Sequence, residues 1–361
     1  EKLNVPVNGV QITTPFEKLE AEGGKYEEIK NATKAGVDIK TDVTNDSDTE
    51  ATGVSVKSTV YNKESDVIST QTDDITVAAG KTETISQSVD VANPKLWSVD
   101  SPNLYWVRTE IIQNGKVVDR TDSRFGIRYI ATNPNSGFYL NGVHTKLNGV
   151  CEHSDLGSLG METYQAAVDR RIRTLKKYGV NAIRTSHNPV SPEFIEACDR
   201  LGMLVFEEAF DQWLYSKNSD DYHNYFNKAA DGKTVVFDKA GNDNTNNDTS
   251  YIEVKREDLQ SNAERDIKAM VDRDKNAPCI FAWSTGNEIY DARYKHGENT
   301  LDMLTGWIKE IDTTRPVAAC PPTWDNYWAN NAQQEKHLAK AEMSGFNYAT
   351  GQYDGAHSRY P

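Results

Sequence analysis

Near Arg128 the hydrophobic pattern of this chain changes period, and that change limits the available folds more than any other feature. Before it, short segments alternate apolar with polar residues: Val37 to Val43, Val54 to Tyr61, Thr82 to Val91, Leu104 to Ile112 and Lys116 to Phe125. Turn-rich stretches such as Thr44-Asn45-Asp46-Ser47-Asp48 and Ala78-Ala79-Gly80 separate them, and Asn114-Gly115 is the signature of a tight hairpin. Close strand spacing without helices predicts an antiparallel immunoglobulin-like β-sandwich over residues 1–127.

From 128 to 361 the pattern becomes strand, helix, strand. Asn141-Gly142 marks a second hairpin. Six apolar strands are expected at Leu147 to Cys151, Ala182 to Thr185, Leu204 to Glu207, Ile280 to Ser284, Val317 to Cys320 and Met343 to Asn347. Between them, a helix is expected from Glu162 to Tyr178 with Gly179 as its stop. Another opens at Ser191-Pro192 and ends at Gly202. No glycine-rich phosphate loop follows the first strand, so the layout fits a (β/α)8 TIM barrel better than a doubly wound sheet. With six of eight strands visible, an incomplete barrel is expected. The Asn- and Asp-rich stretch from Tyr215 to Thr249 is too polar for a core and is expected to be a loop over the barrel mouth.

Lys+Arg number 40 against Asp+Glu 54, a formal charge of -14, which offers no basic face for a nucleic-acid backbone. No apolar run is long enough for a membrane span, and no charged-then-apolar leader stands at Glu1; a non-membrane segment that begins in the middle of something longer is expected. Cys151, Cys198, Cys279 and Cys320 have no metal-binding or disulfide spacing and read as free thiols. The Thr- and Asn-rich sandwich suits an exported protein, a compositional leaning that leaves the compartment open.

Polar residues gather at the strand ends, which in a barrel share one rim. His153 follows the first strand; Arg184, His187 and Asn188 the second; Glu207, Glu208 and Asp211 the third; Asn287 and Glu288 the fourth; Asn347 and Tyr348 the sixth. Taken singly, each has a plain explanation: a satisfied histidine, an Asn-Pro turn, a solvent-facing Glu pair, a helix first-turn acid at Glu288. Five such ends converging on one rim point instead to a catalytic site.

The ordered segments SRFGIR, FYLNGVHTKLNGVCEH, NAIRTSHNP, LVFEEAFDQW, FAWSTGNE and SGFNY resemble glycoside hydrolase family 2, and within it the β-galactosidases. In that family a sugar-binding jelly roll precedes the sandwich, and this segment is expected to lack it. The resemblance implies a retaining glycoside hydrolase acting on β-galactosides, with Glu288 as the acid/base and Asn287 holding the sugar 2-hydroxyl. His153 and His187 match histidines lining the sugar pocket, Arg184 an arginine beneath it, and Tyr348 a tyrosine touching the nucleophile. Asp211 and Trp213 lie on the third loop, where a carboxylate could bind hydroxyls and an indole could stack on a ring. Relatives that use magnesium place a Glu and a His on this loop, whereas this chain reads Asp211-Gln212-Trp213-Leu214. No metal or other cofactor is therefore expected.

No Glu occupies the family's nucleophile position. Glu342 starts the sixth strand, at the wrong end of the barrel, and Asp354 lies in the loop beyond Tyr348. The nucleophile is expected beyond Pro361, with the 361-residue segment inactive by itself and prone to self-association through open barrel edges. β-Glucuronidases and β-mannosidases share the same framework, and STGNEI favours a galactosidase over both. A non-catalytic carbohydrate-binding or scaffold segment is the competing reading; a binding module has no need of Asn287 beside Glu288.

Overall fold

The computed structural model describes residues 2–15, 20–21, 25–26, 32–213, 262–293, 295–321 and 332–359. The expected loop at 215–249 lies outside the described residues, as does Leu214.

In the first part, β1 (Leu3–Asn4), β2 (Val10–Thr13), β5 (Lys34–Asn45) and β8 (Thr82–Ala92) form one antiparallel sheet, with β5 at its centre. A second sheet has the order β10-β9-β6-β7, from β6 (Ala51–Tyr61), β7 (Val67–Val77), β9 (Tyr105–Gln113) and β10 (Lys116–Phe125). Two-residue strands β3 (Glu20–Ala21) and β4 (Lys25–Tyr26) pair separately. Alternation drives the packing: Val37, Ile39 and Val91 from one sheet meet Val60, Val107 and Phe125 from the other in a shared core. The Asn114-Gly115 turn has φ of 52° and 77°, the left-handed pair that a tight hairpin requires.

The sequence pattern missed β7, an edge strand. Its half-buried positions include Gln71 and Asp73, and Asp73 accepts from Gln71 and Gln87 at 2.9 and 2.8 Å. Polar residues on the inward face erase the alternation that marks a half-buried strand.

A three-stranded antiparallel sheet, β11 (Ile130–Asn133), β12 (Gly137–Leu140) and β13 (Val143–His144), leads into the barrel. There β14 (Gly149–His153), β15 (Ala182–Ser186), β16 (Leu204–Glu208), β17 (Ile280–Asn287), β18 (Val317–Cys320) and β19 (Met343–Ser344) lie parallel and in sequential order. This is an incomplete TIM barrel after an immunoglobulin-like sandwich. Among the described residues β14 and β19 are each paired on one side only, and Gly149, Cys151 and His153 are exposed along β14.

Helices α1 (Gln165–Lys177), α2 (Pro192–Leu201), α3 (Asn262–Asp274), α4 (Lys295–Ile311), α5 (Ala332–Lys340) and α6 (Tyr353–Arg359) complete the second part. α2 starts as its sequence dictates: Ser191 caps the Phe194 N–H, Pro192 takes the first helical position, and Gly202 ends the helix at φ 75°. Gly202 is obligatory on a second count, because a Cβ there would lie 2.2 Å from the Val99 carbonyl oxygen. α1 begins three residues later than expected, after Tyr164. The sixth strand shrinks from five expected residues to two.

β17 is the barrel's anchor, with all eight residues buried. At its base the Trp283 indole N–H donates to Asp312 Oδ2 at 2.8 Å, and Arg315 pairs with the same oxygen at 2.6 Å while donating to the Ile280 and Ala277 carbonyls. Burial alone would raise the Asp312 pKa, but the Arg315 charge and the Thr314 and Trp283 donors outweigh it and hold the carboxyl down at about 2. The sandwich joins the barrel through Asp199: its carboxylate accepts from Arg124 at 2.8 Å and from the Cys279 N–H at 3.0 Å, and its carbonyl from the Trp97 indole at 2.8 Å.

Candidate active site

β17 leaves its regular path at Gly286, where there is no room for a side chain. A Cβ there would stand 2.5 Å from Ile289 Cδ1 and 3.0 Å from both the Phe210 carbonyl oxygen and the Trp213 indole nitrogen. The strand's last residue, Asn287, donates its N–H to Phe210 O at 3.0 Å, and Ile289 donates to Cys320 O at 3.3 Å. Between these fixed points Glu288 adopts φ 46°, left-handed for a residue with a full side chain, at a cost of about 1–3 kcal/mol. Such strain persists only where the surroundings over-determine the backbone, and here the loop after β16 and the end of β18 hold the residues on either side of it. The Glu288 side chain is partly buried.

Through Asn287, the residue before it, runs a continuous hydrogen-bonded network. Arg184 Nη2 donates to Glu208 Oε2 at 2.7 Å and to Asn287 Oδ1 at 2.9 Å, and Arg184 Nε reaches the same Glu208 oxygen at 3.1 Å. Asn287 Nδ2 donates to Asp211 Oδ1 at 3.0 Å. His187 Nδ1 lies 2.5 Å from Glu208 Oε1, and His153 meets the His187 ring edge-on at 5.4 Å between centroids. Arg184 Nη1 also donates to Asn347 Oδ1 at 3.4 Å, bringing in the segment that follows β19. Burial disfavours the guanidinium charge, but attraction to Glu208 prevails and holds Arg184 above the ordinary arginine range.

Of the residues expected to act, Arg184, His187, Asp211 and Asn287 form one bonded cluster, His153 joins by ring contact, and Glu288 follows Asn287 in the chain. Trp213 is fully buried: its indole N–H donates to Thr285 O at 2.9 Å, and its ring packs against His337 at 5.7 Å. A covered indole offers no face to a sugar, so its observed contacts support β17 rather than a stacking platform. Tyr348 is 84% exposed, at φ 59°.

Glu208 is the hub that the strand-end reading left without a role. The Glu207-Glu208 pair stands among the polar strand ends expected at the rim, and both side chains are completely buried, on opposite sides of β16. Glu207 Oε1 accepts from Arg273 at 3.3 Å, and burial followed by the nearby Asp274 charge raises its pKa well above the ordinary value. The available signal was the position of the pair at the end of an apolar strand, which places one of the two inward.

A parallel barrel whose strand ends bring together two histidines, an arginine, an Asn-Glu pair and buried carboxylates is an α/β barrel of the kind that carries a polar ligand site at its rim. The chain belongs to glycosyl hydrolases family 2: residues 132–335 match the TIM barrel domain of that family, and residues 25–128 match a second model of the same family. It is 30% identical to a β-galactosidase, BoGH2A, of Bacteroides ovatus, over 91% of this chain and 38% of that protein. It is 36% identical to a putative β-glucuronidase of Formosa agariphila, over 64% of this chain and 18% of the relative. A crystal structure of a family 2 member from Bacteroides cellulosilyticus superposes on all of this chain with a TM-score of 0.80 at 31% identity, and 40% of that structure is covered. The chain thus spans about two fifths of the length of the relatives it matches most fully. Among the described residues no helix is long and apolar enough to cross a membrane.

Proposed function

We propose that this segment carries the acid/base half of a retaining β-galactosidase site, with terminal β-D-galactosides as substrate. The supporting observation is the bonded cluster of Arg184, His187, Asp211 and Asn287 next to Glu288, whose backbone is held in a costly conformation. Glu288 protonates the departing glycosidic oxygen and then activates water. Asn287 holds the 2-hydroxyl as oxocarbenium character develops. His153, His187 and Asp211 bind the glycon, and Tyr348 contacts the nucleophile.

The nucleophilic carboxylate must stand roughly 5–5.5 Å from Glu288. Glu342 is unsuited to this role: its Oε2 accepts from the Val317 N–H at 2.7 Å and pairs with Lys309 at 2.8 Å, at the start of β18 and so at the opposite end of the barrel. The reading therefore holds the 361-residue segment inactive, and detectable turnover of a nitrophenyl β-galactoside by it would refute that assignment.

A β-glucuronidase is the second reading, favoured by the Formosa relative. Nitrophenyl galactoside, glucuronide and mannoside offered to a polypeptide of the relatives' length carrying this segment decide between them. Preference for the galactoside by kcat/KM supports the proposal, and preference for the glucuronide replaces it.

A further inference from the structure

Glu208 is completely buried at the end of β16, and the chemistry above assigns it no role. Its Oε2 accepts from Arg184 Nη2 at 2.7 Å, Arg184 Nε at 3.1 Å and Ser284 Oγ at 2.8 Å, while Oε1 lies 2.5 Å from His187 Nδ1. Its backbone N–H donates to Thr185 Oγ1 at 2.8 Å. One carboxylate thus ties together three neighbouring strands.

A carboxylate paired with a guanidinium has no proton to give, so the hydrogen between Oε1 and Nδ1 belongs to the imidazole. In a neutral ring Nε2 is then bare and accepts hydrogen bonds. The His187 side chain keeps 21% exposure and, with Asp211 and the α3 residues Asp266, Met270 and Arg273, lines a cavity of about 600 Å³ that Asn287 does not line. Asn287 is oriented by its partners as well. Arg184 can only donate, so the Asn287 atom 2.9 Å from Nη2 is the amide oxygen, and the amide nitrogen turns to Asp211.

We propose that Glu208 is a positioning residue that sets the hydrogen-bond polarity of the site, fixing the Nδ1–H tautomer of His187 and, through Arg184, the amide sense of Asn287. The site then presents acceptors at His187 Nε2 and the Asp211 carboxylate, against the second Nδ2 hydrogen of Asn287 as donor. That pattern suits a ligand donating several hydroxyl hydrogens, as a glycon does. Glu208 itself touches no ligand.

The test is long-range ¹⁵N–¹H NMR on the 361-residue chain labelled at its histidine ring nitrogens, at about pH 8, above the ordinary histidine range. The His187 signals are identified by their loss in His187→Asn. The expected result is a protonated Nδ1 and a bare Nε2 in the unaltered chain. Ser284→Ala, which keeps the carboxylate, leaves this unchanged, and Glu208→Gln shifts or mixes the tautomer. A proton on Nε2 in the unaltered chain overturns the inference whether or not Glu208→Gln folds, and so does an unchanged tautomer in folded Glu208→Gln.

A kinetic arm rests on the glycosidase reading. In a polypeptide of the relatives' length, Glu208→Gln lowers kcat about 10- to 100-fold with KM changing less than about threefold. Its penalty shrinks at least about threefold in an Asn287→Ala background, because part of its effect passes through that amide. Fully multiplicative penalties overturn the coupling. Absence of hydrolysis by the unaltered polypeptide sinks the glycosidase reading instead, while the tautomer result stands independently.

Discussion

Glu288 and Asn287 adjoin each other in the chain but are assigned separate tasks, and substitution separates them. In a polypeptide of the relatives' length, Glu288→Gln is expected to lower kcat for a poorly departing alkyl galactoside by about 10² to 10⁴, and by much less for a nitrophenyl galactoside, whose leaving group needs little protonation. Asn287→Ala is expected to cost about 10² to 10³ in kcat on either substrate, because it removes a donor used as charge develops. Steady-state kinetics on the two substrates checks both, and equal losses on them for Glu288→Gln would remove it from the acid/base role. At this scale the strand ends were legible: Arg184, His187, Asp211 and Asn287 come together because a barrel strand delivers its last residues to the mouth. Glu208 was legible as a strand end but not as the partner of Arg184, since two adjacent glutamates look alike in sequence and only the facing of β16 tells which meets Arg184.

Among the elements, α2 was the most legible because its signals are local: a cap, a proline and a left-handed glycine. Ser191→Ala removes the acceptor for the Phe194 N–H and is expected to cost about 1 kcal/mol, lowering the urea midpoint without changing its slope. β7 shows the opposite case. Asp73 on its inward face accepts from Gln71 within the strand and from Gln87 on β8, a partner that sequence distance hides, so the strand has no apolar rhythm. β17 lies between these cases: its apolar run was plain, but the exclusion of any side chain at Gly286 and the left-handed Glu288 depend on Phe210, Trp213 and Cys320 arriving from elsewhere.

For the molecule as a whole, two buried groups predict acid lability. His337, fully buried, is pushed down to about 4 by burial, so the folded state stays neutral where the unfolded chain takes up a proton. Stability is therefore expected to fall as pH drops from the ordinary histidine value of 6.5 toward 4, by on the order of 3 kcal/mol. Asp312, lowered from 3.8 to about 2, stabilises above its unfolded value, and about 2 kcal/mol more is lost as pH falls through that window. Urea unfolding across pH 7 to 2 measures both, and His337→Gln should flatten the upper limb alone. Because β14 and β19 each keep one unpaired edge among the described residues, the isolated segment is also expected to self-associate with rising concentration. Sedimentation velocity tests this, and a concentration-independent monomer would contradict it.

The order of residues was enough to establish two architectures, the parallel strand sequence and the rim on which polar residues collect, because period and turn chemistry are local properties of a chain. Which carboxylate becomes the hub, which indole is sealed inside and where the backbone is strained depended on contacts between residues far apart in the chain, as in the bonds from Arg184 to Glu208 and Asn287, 24 and 103 positions away. Burial and pairing are set by what each residue meets across space, and a linear pattern does not record those meetings.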